Sequence, residues 1–493
     1  MKVDVAVIGA GVIGTYIARE LARYNLNIVI IEKENDVANG TTKANSAIIH
    51  AGYDAKTGSL KAKTNVLGNR LQEELCRELE VPFERIGSFV VAFNDEEVEI
   101  LKKLEEQGNN NGVPGLKILN QAELREMEPN LSEEVVAALY APTAGIIGPF
   151  ELAIALAENA ADNGVEILLN SKVTSIDKSN NKYIIKAGSH KIETKYVINC
   201  AGLYADEINN MVNRPYFEIV PNRGQYHLFD KTAGDFVNKV VFQCPTKAGK
   251  GVLVLPTVHG NVLIGPTAEN TGNKEANETT TEGFTFLREK AEKVVKSFPY
   301  YKVITSFSGL RAKTPTGDFI IEEVQESRGF INVAAIDSPG LSAAPAIGNY
   351  AIDILKTSAG AFEENKSFNP KRKAFKPFTE LSMEEKQQLI DQDPRYGRVI
   401  CRCEQITEGE IVDVIKRKAG ALTLDAVKRR ARAGMGRCQG GFCGPRVMEI
   451  IARELNIDIT DVVKDGIDSY ILTGATKTIY DDTENLAAAT KED

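Results

Sequence analysis

Tryptophan is absent from these 493 residues, and the sequence has only four histidines and seven cysteines. The missing indole excludes nothing, but the scarcity of histidine narrows the search for an acid–base group. No apolar run approaches the ~18–20 residues needed to cross a bilayer. The opening "MKVDVAVIGAG" lacks the basic segment and long apolar core of a secretion signal. A net charge of −9 argues against a general nucleic-acid binder. Together these absences predict a cytoplasmic protein, with attachment to a complex on the inner face of the cell membrane left open. In that compartment thiols stay reduced, so clustered cysteines point to metal or redox chemistry rather than disulfides. The length exceeds what one core can serve, and two to four domains are expected.

What is present begins at the first residues. "VDVAVIGAGVIGTYIARELARYNLNIVIIEKEN" reads as strand, tight glycine turn, helix and strand, with Ile13, Ile17 and Leu21 as the buried helical stripe. Gly9, Gly11 and Gly14 fill G-x-G-x-x-G: one for the turn, one for close approach to a pyrophosphate, one for helix–strand packing. Glu32 ends the second strand 18 residues after Gly14, where a carboxylate would hold ribose hydroxyls. The small, polar "NGTTKANSAIIHAGYD" follows directly and fits an extended cofactor whose second half continues through the protein, favouring FAD over NAD. Later, "YVINCAGLYAD" returns to the sheet after a β-meander, and "GFINVAAIDSPGLSAAPAIGNYAIDIL" is again strand, glycine loop and helix. The start of that helix could stabilise negative charge on a flavin ring.

These three segments, in this order over roughly residues 1–360, resemble the flavoprotein oxidoreductase superfamily that includes D-amino-acid oxidase. Within it the likeness is greatest to glycerol-3-phosphate and L-2-hydroxyglutarate dehydrogenases. The resemblance implies that Gly9, Gly11, Gly14 and Glu32 hold the ADP half of FAD, and that Thr41, Thr42 and Ser46 lie along the pyrophosphate and flavin. It also implies that Val173, Ala201 and Gly202 flank the adenine side, and that Gly340, Leu341 and Ser342 meet the flavin ring.

Residues 81–145 and 215–305 alternate like strands and are expected to form an inserted mixed β-sheet substrate domain. The FAD-binding domain is then discontinuous, over 1–80, 146–214 and 306–360. His259 falls in a hairpin turn, as does His190, which leaves His50 and His227. Oxidising an alcohol requires a base for the hydroxyl proton, and histidine titrates in the right range. Glycerol-3-phosphate dehydrogenases carry a histidine in the strand matching "PNRGQYHLFD", so the resemblance favours His227 as base, with His50 a substrate contact or flavin neighbour. Arg311, in "FSGLRAKTPTG", offers the paired fork that suits phosphate or carboxylate, and both families place an arginine there. Against glycerol-3-phosphate dehydrogenases, the Arg–Tyr pair common after the His-Gly loop is missing, and "GSLKAK" looks like the 2-hydroxyglutarate group.

After residue 360 the composition changes. Residues 361–395 read as a polar linker or wrapping arm, and 396–470 as a small, mainly helical unit. Thr407 and Glu410 form a capping box, a second helix is expected near 423–432, and Pro445 suits the first turn of a third. Cys401, Cys403, Cys438 and Cys443 give C-x-C, 34 residues, then C-x4-C. Four cysteines can hold zinc or a [2Fe–2S] cluster, and C-x-C is uncommon in zinc sites. "CRCE" and "RRARAGMGRCQG" with the final cysteine are similar to bacterioferritin-associated-ferredoxin-like [2Fe–2S] domains, which end the catalytic subunit of anaerobic glycerol-3-phosphate dehydrogenases. The run "KRKAG…KRRARAG" reads as a docking face or a solvated helix surface. Residues 471–493 are acidic and aperiodic, and are expected to be disordered or laid along a partner.

The sequence thus predicts an α/β Rossmann-like FAD-binding domain with an inserted mixed-sheet domain and a [2Fe–2S] domain. The expected activity is FAD-dependent oxidation of a small anionic hydroxy compound, foremost sn-glycerol 3-phosphate. Electrons would leave through the cluster to a protein acceptor or additional flavoprotein subunit. L-2-Hydroxyglutarate oxidation and a non-catalytic electron-transfer subunit are the alternatives.

Overall fold

The computed structural model describes residues 1–179, 182–245 and 251–474; the expectation for the acidic tail falls largely outside them. The chain divides into two compact units, 1–374 and 375 onward.

In the first unit the strand Lys2–Ile8 sits at the centre of an eight-stranded sheet. It pairs in parallel with Ile28–Ile31 on one side and with His190–Asn199 on the other. Phe330–Ala334 extends the parallel run beyond His190–Asn199. Buried on both faces, the central strands lack polar alternation, as parallel sheets do. The helix Val12–Leu21 crosses between the first two strands, and Pro149–Asp162 and Gly340–Ala359 pack against it. His190 is exposed at the start of its strand, in the hairpin after Lys182–Ala187.

A nine-stranded mixed sheet fills the middle of the chain. Its long strands, Val220–Phe229 and Val303–Lys313, pair antiparallel over their whole length, with Asn222 opposite Arg311 and His227 opposite Ser306. Core clusters cover both faces of this sheet, and Thr281–Val294 contributes to one of them. A small three-stranded sheet of Ile48–Ile49, Gly145–Ile147 and Phe83–Glu84 delivers His50 at the end of its first strand.

Residues 361–374 lie along the first unit: Arg372 pairs with the buried Glu158 at 2.6 Å, and Ala374 N donates to Glu80. The second unit has its own core around Ile411, Val427, Val447 and Ile451. Its three main helices are Glu408–Lys416, Leu424–Ala431 and Gly444–Leu455. The Thr407/Glu410 capping box forms, and Pro445 occupies the first turn of the third helix. An additional helix, Met383–Gln392, lies within the stretch that reads as linker.

Candidate active site

The glycine turn is built as its spacing requires. Gly9 has φ +104°, and a Cβ there would lie 2.4 Å from Cys200 O, which places residues 200–201 directly beside the turn. A Cβ on Gly14 would lie 2.0 Å from Gly9 O, so helix and strand meet backbone to backbone. A Cβ on Gly11 would meet only Thr42 Oγ1, at 3.3 Å, which leaves this backbone open to a ligand. The helix begins without a side-chain cap of its own; Thr42 Oγ1 instead accepts from Val12 N at 3.1 Å. Glu32 accepts from Ala10 N at 2.7 Å and Glu34 N at 2.9 Å, and burial pushes its carboxyl up. The helix Gly340–Ala359 has no side-chain cap, so its N-terminus presents N–H groups to an anion. These features fit an extended dinucleotide. Val173 opens its strand with the side chain buried, and Gly202, at φ +57°, starts the turn after His190–Asn199.

The loop of residues 41–46, expected beside the flavin, is stitched to the mixed sheet. Thr41 Oγ1 donates to Leu310 O at 2.7 Å, and a Cβ on Gly309 would lie 2.0 Å from Ala44 O. Ser46 Oγ and Tyr226 OH are 3.3 Å apart, and Tyr226 stacks on Phe307. Arg311 lies across Gly224, where a Cβ would be 2.6 Å from its Nη2; Nη1 donates to Asn222 Oδ1 at 2.8 Å. Asn222, Gly224, Tyr226 and Arg311 therefore share one face of the sheet, the face that meets residues 41–46.

His227 does not join them. One residue from Tyr226 along a strand, it points to the opposite face. There its Nδ1 lies 2.8 Å from Ser306 Oγ, its ring packs 4.3 Å from Phe284 of the Thr281–Val294 helix, and burial lowers its pKa. The structure thus corrects the pairing of His227 with Arg311. His259 sits in its turn, as the pattern predicts, with Nε2 2.8 Å from Glu151.

His50 stands elsewhere, just after the strand Ile48–Ile49. Its N–H donates to Ser342 Oγ at 2.7 Å, and its Nε2 lies 3.5 Å from Ser338 Oγ. Asn69 Nδ2 holds its carbonyl at 3.0 Å, and its ring lies 5.7 Å from that of Phe242. The structure brings His50 together with Ser342 and the start of the helix expected to face the flavin. Leu341, beside it, accepts from Gln72 Nε2 at 2.9 Å. Lys61, in the "GSLKAK" stretch, pairs with Asp337 at 2.5 Å. Nothing local in the sequence announces that partner.

In the second unit the four thiols form two pairs. Cys403 and Cys438 Sγ are 3.7 Å apart, and Cys401 and Cys443 share a hydrogen bond. That bond, with the backbone N–H groups of Gly434, Glu404 and Cys403, pulls Cys401 down to about 6 and drives Cys443 up. The N–H groups of Phe442 and Gly440 favour the thiolate of Cys438. Among the described residues, no three His, Cys, Asp or Glu side chains gather as a single-ion site. Two sulfur pairs ringed by backbone donors fit a di-iron cluster held by four thiolates. Cys76, Cys200 and Cys244 are buried elsewhere, and burial raises their pKa values. Part of the basic run is not solvated: Arg429 reaches Asp465 at 2.9 Å, Arg430 binds the carbonyls of Ala419 and Ala426, and both are buried, whereas Lys416 and Lys418 are exposed.

The family of FAD dependent oxidoreductases matches residues 4–354, and the BFD-like [2Fe-2S] binding domain matches 399–453. The chain is 61% identical over 474 residues to a glycerol 3-phosphate dehydrogenase of Caloramator mitchellensis, covering 96% of this chain and 99% of that one. It resembles the dithionite-reduced, FAD-bound L-alpha-glycerophosphate oxidase of Mycoplasma pneumoniae with a TM-score of 0.72 and 33% identity, over 76% of this chain and 98% of that one. An L-2-hydroxyglutarate dehydrogenase of Indibacter alkaliphilus is 32% identical over 295 residues, 59% of this chain and 73% of its own. The glycine turn, the loop of residues 41–46 and the four paired thiols thus stand where these matches fall, and the chain belongs to the FAD dependent oxidoreductase family, with a BFD-like [2Fe-2S] binding domain behind it.

Proposed function

We propose that the chain oxidises sn-glycerol 3-phosphate to dihydroxyacetone phosphate and delivers the electrons, by way of its [2Fe–2S] domain, to a separate protein. The observation that carries the substrate is the end-to-end likeness, cysteine tail included, to a glycerol 3-phosphate dehydrogenase. The geometry supplies compatible roles. Arg311, half-buried and held over Gly224 by Asn222, receives the anionic headgroup with its guanidinium fork. His50 takes the proton from the hydroxyl oxygen borne by the substrate carbon that loses hydride. Tyr226 and Ser46 close the space between sheet and loop and keep the substrate hydroxyl oriented. FAD, when bound, accepts the hydride.

Electrons leave where the sulfurs are exposed. Cys403 is at the surface, and Phe442, between Cys438 and Cys443, is 89% exposed with Arg402, Arg437 and Arg446 also at the surface nearby in sequence. An aromatic anchor among arginines suits a small, transient electron-transfer contact with an acidic protein surface. No helix among the described residues is long and apolar enough to cross a membrane.

An anaerobic absorption titration tests the reading, with flavin and cluster bands followed separately. Bleaching of both by sn-glycerol 3-phosphate is expected. Bleaching by L-2-hydroxyglutarate alone reassigns the substrate, and bleaching by neither, with reduction by a partner protein, makes the chain an electron-transfer subunit.

A further inference from the structure

The helix Leu60–Leu79 presents one face, residues 61, 65, 68, 69 and 72, to the segments around His50. Gln72 Nε2 donates to Leu341 O, and Asn69 Nδ2 donates to His50 O. Gly68 lies so close that a Cβ would sit 2.3 Å from Ser342 O. At the start of this face, Lys61 Nζ lies 2.5 Å from Asp337, with both side chains largely buried, at 16% and 9% exposure. The lysine also lies 5.3 Å from the ring of Phe319. Its helix is fixed at that end, because Asp318 accepts from both Leu60 N and Lys61 N while Ser59 caps Ala62 N.

Asp337 is the hub of the opposite segment. Its carbonyl accepts from Gly340 N at 2.6 Å, and its own N–H donates to Ala335 O at 3.0 Å. The next residue, Ser338, lies against the His50 ring, and Ser342, one turn on, accepts from the His50 N–H and donates to Ile48 O. The Ser338 contact, at 3.5 Å, is at the outer edge of hydrogen bonding, and active-site contacts of this kind tighten when substrate binds.

We propose that Lys61 is a positioning residue for His50: by holding Asp337, it fixes the 335–342 segment, whose Ser338 and Ser342 set the placement of the imidazole. Lys61 itself touches neither substrate nor reacting atoms. The inference rests on the reading of His50 as proton acceptor, and it gives "GSLKAK" an architectural meaning in place of a substrate-selecting one.

The test is anaerobic stopped-flow reduction of the flavin in the full holoenzyme by sn-glycerol 3-phosphate. Lys61→Met and Ser338→Ala are each expected to slow the limiting reduction rate roughly tenfold to a hundredfold, the scale of a misplaced catalytic group. The half-saturating substrate concentration should stay unchanged, and Lys61→Arg should restore most of the rate. Melting temperature and FAD release, read by free-flavin fluorescence, accompany each variant. Should Lys61→Met fail to fold around an unpaired aspartate, the Lys61→Met/Asp337→Asn pair removes both charges and Ser338→Ala leaves the ion pair intact. A normal rate per bound FAD in these variants, with only melting temperature or FAD retention lowered, makes the pair a structural clamp and overturns the inference. His50→Gln separates the two readings. If it keeps the wild-type rate, the base assignment itself fails. If it loses the rate while Lys61→Met and Ser338→Ala do not, only the positioning role fails.

Discussion

Arg311 and His227 are five residues out of register on neighbouring strands, so they serve opposite sides of one sheet. The arginine's fork lies over Gly224, with only one firm hydrogen bond to Asn222 at 2.8 Å and two long contacts to Thr267 O at 3.4 Å. A lysine in its place keeps the charge but loses the paired geometry. Losing one charge-assisted bond costs about 1.5–3 kcal/mol, so Arg311→Lys should raise KM for sn-glycerol 3-phosphate by roughly tenfold to a hundredfold. Steady-state kinetics checks this, and an unchanged KM removes Arg311 from the anion site. His227 carries a different expectation. Burial lowers its pKa from 6.5, so in acid the unfolded chain takes up a proton that the folded chain refuses. Stability therefore falls as pH drops below about 6.5, because the unfolded state binds more protons there. His227→Gln cannot titrate. Its denaturation midpoint should drop less between pH 7 and pH 5 than that of the wild type, while flavin reduction continues at the normal rate. Equal drops, or a lost rate, would return His227 to the site.

At the scale of elements, the helix Leu60–Leu79 is the support on which the segments around His50 and Ser342 rest, with a close approach at Gly68. An alanine Cβ there meets Ser342 O and Ala343 Cα, both main-chain atoms that cannot swing aside. Gly68→Ala should lower stability by about 1–3 kcal/mol, the usual cost of overpacking, and speed FAD release; an unshifted melt with unchanged retention would refute the close contact. Legibility in the sequence also follows element type. The first strand–turn–helix and the capping boxes of the tail depend on residues close together in the chain, so their spacing suffices. The face occupied by His227 was not legible, because Val220–Phe229 is buried on both sides and its hydrophobic alternation is erased. Arg429 reads as a surface charge because its partner, Asp465, lies 36 residues away. The Lys61–Asp337 pair joins helix to loop across most of the first unit's sequence, and only folding reveals it.

At the scale of the whole molecule, the chain joins a unit built for a two-electron carrier to one built for a one-electron relay, each with its own core. The cysteine pairs allow the two functions to be separated chemically. Replacing both Cys403 and Cys438 with serine removes the surface pair of sulfurs while leaving the hydrophobic core of the second unit, including buried Cys401 and Cys443, in place. Anaerobically prepared wild-type protein should contain iron and acid-labile sulfide, and the double variant should contain neither above background, since four thiolates are needed to hold the cluster. The same variant should keep its FAD and bleach with sn-glycerol 3-phosphate at the wild-type rate, because no residue assigned to substrate lies beyond Arg311. Its transfer of electrons to a protein acceptor should fall to the background seen without the enzyme. If transfer persists with the iron gone, electrons leave the flavin directly and the tail is a structural appendage; if flavin bleaching is lost as well, the two units do not work as separable stages.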